Sequence, residues 1–103
     1  MNLTPTQLAD LERRLAAALP EYGAMRYMTR DPDMVEITYH AILGRAIAAC
    51  WAAGVGVDSQ PGFVRVRVER GDYCWVGSTR GPDLLTALVA ALEQRANTKE
   101  TTK

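Results

Sequence analysis

The hydrophobic positions of this chain change period along its length, and the changes divide it into elements. Leu8, Leu11, Leu15 and Leu19 recur at helical spacing, with Asp10, Glu12, Arg13 and Arg14 set against them. The preceding Thr4-Pro5-Thr6-Gln7 is a helix entrance, with a Thr N-cap, Pro at the first helical position and Gln at the capping-box position. Pro20 and Gly23 break the pattern, which predicts a helix over residues 5–18. Asp31-Pro32-Asp33 is a second entrance, followed by Val35, Tyr39, Ile42, Ala46 and Cys50 on one stripe that Leu43 and Ile47 widen. With Gly54 as the stop, this predicts a helix over about 32–53. Two stretches read both ways: Ala24 to Arg30 fits a short edge strand or an ordered loop, and Val35 to Tyr39 alternates as an extended segment would.

The period then drops to two. Val55-Gly56-Val57 fits the opening of a strand, and Phe63-Val64-Arg65-Val66-Arg67-Val68-Glu69 alternates without a fault. Arg70-Gly71-Asp72 reads as a tight turn, and Tyr73 to Gly77 as the returning strand. Pro82-Asp83 starts a last helix, in which Leu85, Leu88, Val89 and Leu92 form the buried stripe to about Ala96. Residues 97–103 carry no large apolar side chain and read as a disordered polar tail. The fold class expected is α+β, a small antiparallel sheet centred on a hairpin (residues 63–77) packed with three helices (about 5–18, 32–53, 82–96). Residues 1–96 form a single domain on this reading, because 103 residues are too few for two self-sufficient cores.

Composition changes this picture in two respects. Twelve basic residues balance twelve acidic ones, so the counterion-releasing surplus of a nucleic-acid binder is missing. Ten of the twelve bases are Arg, a bias that a GC-rich genome produces and that interfaces also favour. Cys50 and Cys74 are too few for a secreted disulfide framework, and their apolar neighbours suit buried free thiols. No signal peptide or membrane span is visible, which makes the cytoplasm the expected compartment.

Candidate chemistry is sparse. His40 is the single histidine, so no Ser/His/Asp, Cys/His or HExxH set can be assembled, and a metal site has no ligand spacing to support it. Asp31 and Asp33 flank a Pro at a helix start, where capping accounts for them better than acid–base work. Ser78-Thr79-Arg80-Gly81 precedes a helix and could hold an anion, but lacks a Walker or GxGxxG pattern. No catalytic residue, cofactor or metal is expected. The double-stranded-RNA-binding module also ends in a hairpin and helix, yet Arg80 to Thr86 lacks its phosphate-clamping Lys cluster.

The hairpin offers the best contact surface. Arg65, Arg67 and Arg70 lie on or beside its outer face, Arg80 follows it, and Tyr73 and Trp75 share one parity on the returning strand. If those aromatics join the arginines, the face has hot-spot composition; if they join the valines, they are core.

Ala46 to Trp51, Val64 to Val68, Tyr73 to Gly77 and Leu84 to Leu92 together resemble the phage ABA sandwich domain, a helix, an aromatic-bearing hairpin and a closing Ala/Leu-rich helix. The likeness covers about half the chain, Ile42 to Leu92, and leaves the first helix unexplained. It implies a phage or mobile-element accessory protein without a catalytic function. Small proteins of that origin include anti-CRISPRs, which occupy a surface of a host complex. The function expected is therefore non-enzymatic binding to a bacterial host protein or defence complex in the host cytoplasm, with a homodimer also open and no membrane or nucleic-acid partner. The alternatives are a small-ligand or nucleotide-binding protein using the 78–81 loop, or a self-assembling structural phage protein.

Overall fold

The computed structural model describes residues 3–27, 29–60, 63–70, 72–79 and 84–101; of these, 59–60, 63–70, 72–79 and 97–101 are described by their backbone alone. Helix α1 (Pro5–Ala18) starts on the capping box. Thr4 Oγ1 accepts the Gln7 N–H at 3.1 Å while Gln7 Oε1 accepts the Thr4 N–H at 2.8 Å, which satisfies two donors that every helix start leaves open. Leu8, Leu11 and Leu15 are buried along one stripe, and Leu19 is buried at the C-cap. Pro20 then opens a 3-10 turn over Pro20–Tyr22.

The second predicted helix resolves into two pieces. A 3-10 turn (Pro32–Met34), capped by the Asp31 side chain accepting the Asp33 N–H at 2.9 Å, leads into α2 (Val35–Ala52). Val35 to Tyr39 is helical, not extended, because only helical spacing brings Val35, Tyr39 and Ile42 to the same buried side. Gly54, at φ +73°, ends the helix with its N–H on the Trp51 carbonyl at 3.1 Å. The described residues between Ala24 and Arg30 form no strand.

Strand β1 (Val55–Gln60) pairs antiparallel with β2 (Phe63–Arg70), which pairs antiparallel with β3 (Asp72–Thr79), in the order β1-β2-β3. Helix α3 (Leu84–Thr101) follows. Its predicted first residues, Pro82 and Asp83, lie outside the described residues, and it continues five residues past Ala96. Asn97 to Thr101 contains neither Gly nor Pro, so the missing apolar side chains limit packing there without stopping the helix.

Helix α3 packs on β2, β3 and α1, whereas α2 packs on β1, α1 and both 3-10 turns. Tyr39 Oη accepts the Leu85 N–H at 2.9 Å, so α2 supplies a partner for the first turn of α3. In the core, Leu85, Leu88, Val89 and Leu92 join the α1 leucines and Ile42, with Val55 buried at the start of β1. The Cα radius of gyration of 13.5 Å matches the roughly 13 Å of a compact chain of this length.

Candidate functional site

Three places depart from the rule of apolar inside and polar outside. The first is the sheet. Val55 is buried and Val57 packs against the core, and these two lie opposite Val68 and Val66 in the register. The alternate positions, Gly56 and Asp58, lie opposite Arg67 and Arg65. Directly paired residues of an antiparallel ladder occupy one face. Arg65 and Arg67 therefore belong to the face turned away from the helices. On β3, Trp75 lies opposite Arg67 and Tyr73 opposite Glu69, while Cys74 lies opposite Val68. The two aromatics share the arginine face by register.

Counted from the hairpin turn, this register is unbroken from Arg70–Asp72 to Arg67–Trp75, and an irregularity begins just beyond it. Val66 is opposite Gly77 and Arg67 opposite Trp75, so Val76 is an extra residue on β3. Such a bulge resets the parity of a strand, here between Trp75 and Gly77. Arg70 lies opposite Asp72 at the end of the hairpin. Arg80, the last of the predicted contact residues, lies outside the described residues, as does Gly81; Ser78 and Thr79, read as the start of an anion-holding loop, are instead the last residues of β3, opposite Arg65 and Val64.

The second departure is α2. Its sequence is apolar on all sides, which normally marks an enclosed helix. One side is nonetheless open. Ile37 is 64% exposed and Trp51 79%, and His40, Gly44 and Ala48 between them are exposed as well. Ile37, His40, Gly44, Ile47 and Trp51 are spaced alternately by three and four residues, the seam of a heptad, and no Asp, Glu, Lys or Arg interrupts it. Among the described residues, a Cβ at Gly44 would meet nothing within 4 Å, so no contact there calls for glycine.

The third departure is Glu12, fully buried on α1. Its carboxylate accepts the Tyr22 O–H at 2.6 Å, the Arg26 N–H at 3.1 Å and the Tyr27 N–H at 3.2 Å. Burial first, and the bond to Glu12 second, push the Tyr22 hydroxyl above its ordinary pKa of 10. The Arg45 guanidinium covers the Tyr22 ring at 4.8 Å and donates two bonds to its carbonyl, at 2.7 and 3.1 Å. Gly23, at φ +85°, leaves room for that guanidinium, since a Cβ would sit 3.1 Å from it. The irregular segment from Tyr22 to Tyr27 thus finds its hydrogen-bond partners in α1 and α2. The sequence reading set Glu12 with the solvated charges; its place four residues after Leu8 and three before Leu15 puts it on the buried stripe instead.

Among the described side chains, none of these places gathers a nucleophile with a base. His40 is exposed and meets Tyr39 edge-on, with 5.5 Å between ring centroids. Cys50 is a buried free thiol that burial pushes up to about 11, against the opposing pull of the Arg95 charge. Among the described residues, no three His, Cys, Asp or Glu side chains could hold a metal ion. No described helix is long and apolar enough to cross a membrane. A groove of about 530 Å³ beside α1 is lined by Leu3, Gln7, Asp10, Leu11, Arg14 and Thr86, and the bidentate Arg14–Glu93 pair (2.5 and 3.1 Å) keeps its arginine engaged. Among known proteins, the chain matches no family model, no curated protein and no solved structure.

Proposed function

We propose that this chain is a non-enzymatic protein-binding domain whose contact surface is the hairpin face bearing Arg65, Arg67, Tyr73 and Trp75, with Arg70 at its margin and Arg80 following it in the sequence. The observation that carries the reading is the register of β3, which sets Trp75 opposite Arg67 on the side away from Val55. Arg and Trp are the residue types enriched where binding energy concentrates, since each combines a large flat contact area with hydrogen-bond donors. A buried, unreactive Cys50 suits a reducing compartment, the cytoplasm of a host cell. The resemblance to a phage accessory domain makes bacterial defence complexes, CRISPR–Cas effectors among them, the first partners to test.

The experiment is co-purification of the tagged chain with candidate defence complexes, repeated with Arg65→Glu/Arg67→Glu. The reading expects a specific complex that the double variant weakens by about tenfold or more while its circular dichroism stays native. A complex that survives both reversals moves the contact surface off the hairpin. Turnover of a substrate by the purified chain would overturn the non-enzymatic reading.

A further inference from the structure

We propose that the open side of α2 is a self-association seam, on which a second copy of this chain docks antiparallel about a two-fold axis at Gly44. The two large exposed residues stand at equal distances from that glycine, Ile37 seven positions before it and Trp51 seven after. An antiparallel two-fold at Gly44 sets position 44 − n of one copy against 44 + n of the other. Ile37 then meets Trp51 twice, His40 meets Ala48, Ala41 meets Ile47, and Gly44 meets Gly44. Bulk faces bulk at both ends, and the smallest residue lies where the backbones cross most closely. An isologous contact must be self-complementary in this sense.

Charge and area point the same way. A like charge on a two-fold seam confronts its own copy, and no formally charged residue lies among the seam positions. The neighbouring Arg45 is held by the Tyr22 carbonyl and ring. With Trp51 79% exposed, a full Trp surface of about 250 Å² leaves about 200 Å² in water on each copy. Ile37, the open part of the half-buried Ile47 and the small residues over the roughly 21 Å of helix from Ile37 to Trp51 bring the two copies to about 1,000 Å². That is the lower bound of a specific interface, so the contact suits a weak, reversible dimer. Gly44 supplies an independent reason. Mid-helix glycine costs about 1 kcal/mol relative to Ala, and none of the described residues uses the space it leaves.

The test is sedimentation velocity from about 1 µM to about 1 mM. The wild type is expected to shift from monomer to dimer, and Ile37→Glu and Trp51→Arg are each expected to weaken association by about tenfold or more. Because position 37 of one copy faces position 51 of the other, mixing the two variants pairs Glu with Arg at one end and keeps Trp against Ile at the other. The mixture is therefore expected to associate where neither variant does alone. A wild type monomeric throughout that range overturns the proposal, as does a mixture that stays monomeric while both variants keep native circular dichroism. A seam used by a different protein gives the first of these results. The seam lies apart from the hairpin, so Arg65→Glu/Arg67→Glu should leave the dimer intact, and either surface can fail without the other.

Discussion

The clamp around Glu12 and the open side of α2 break the same rule in opposite directions. At Glu12 a carboxylate stands where the stripe calls for leucine, and every described partner it needs is supplied from within the chain. At Ile37 and Trp51 large apolar groups stand in water, and none of the described residues covers them. The first inversion is internally closed, so its purpose is structural: it gives an irregular loop a fixed path over α1. The second is open, so its explanation lies with another molecule. The difference separates two kinds of pattern violation, one that the fold consumes and one that it leaves available.

Substitution should expose that contrast most strongly at Glu12. Glu12→Ala strands the Tyr22 hydroxyl and the Arg26 and Tyr27 amides, and is expected to cost about 3 kcal/mol in urea unfolding. A loss below about 1 kcal/mol would show that the loop does not depend on the carboxylate. Alkaline pH probes the same clamp. The folded chain favours the neutral Tyr22 phenol, whose pKa stands above 10, so the unfolded state loses this proton first. Stability contributed here is complete below pH 10 and declines as pH rises beyond it, and Tyr22→Phe should flatten that decline. Cys50, pushed up to about 11, adds a separate decline that begins near pH 9; a Cys50→Ala background isolates the tyrosine.

On the open side the expected effects are smaller and reach zero. Gly44→Ala, with nothing in the way of its methyl, should stabilise the monomer by about 0.5–1 kcal/mol. Measured well below the association range, Trp51→Ser should change unfolding free energy by less than about 0.5 kcal/mol. A large loss from Trp51→Ser at low concentration would mean that the ring packs inside the chain after all, and the comparison would collapse.

Legibility in the sequence followed the same division. The three helices could be read because their capping residues and leucine periods are local signals: Thr4 to Gln7 set the start of α1, and Gly54 the end of α2. Burial of Cys50 was legible from its apolar neighbours. Glu12 was misread by residue type although its spacing placed it among the leucines. The α2 seam was hidden for the opposite reason, since a helix apolar on every side does not say which stripe the rest of the chain will cover. The pairing of Gly77, not Val76, with Val66 depends on the extra residue Val76, and a bulge belongs to two strands at once, not to either one's alternation. What could be read was local; what could not was a property of contacts between distant segments.

The bond from the Leu85 amide to Tyr39 has a consequence in time. Its two residues are 46 positions apart, so it closes only after the intervening chain, sheet included, has been made. During synthesis from the N-terminus, α1 and α2 leave the ribosome with their own caps already available, whereas α3 waits for a surface to lean on. Docking of α3 therefore cannot precede synthesis of the sheet. A chain cut before Leu84 would leave the leucine stripe of α1 without its lid, holding its helices but not its core.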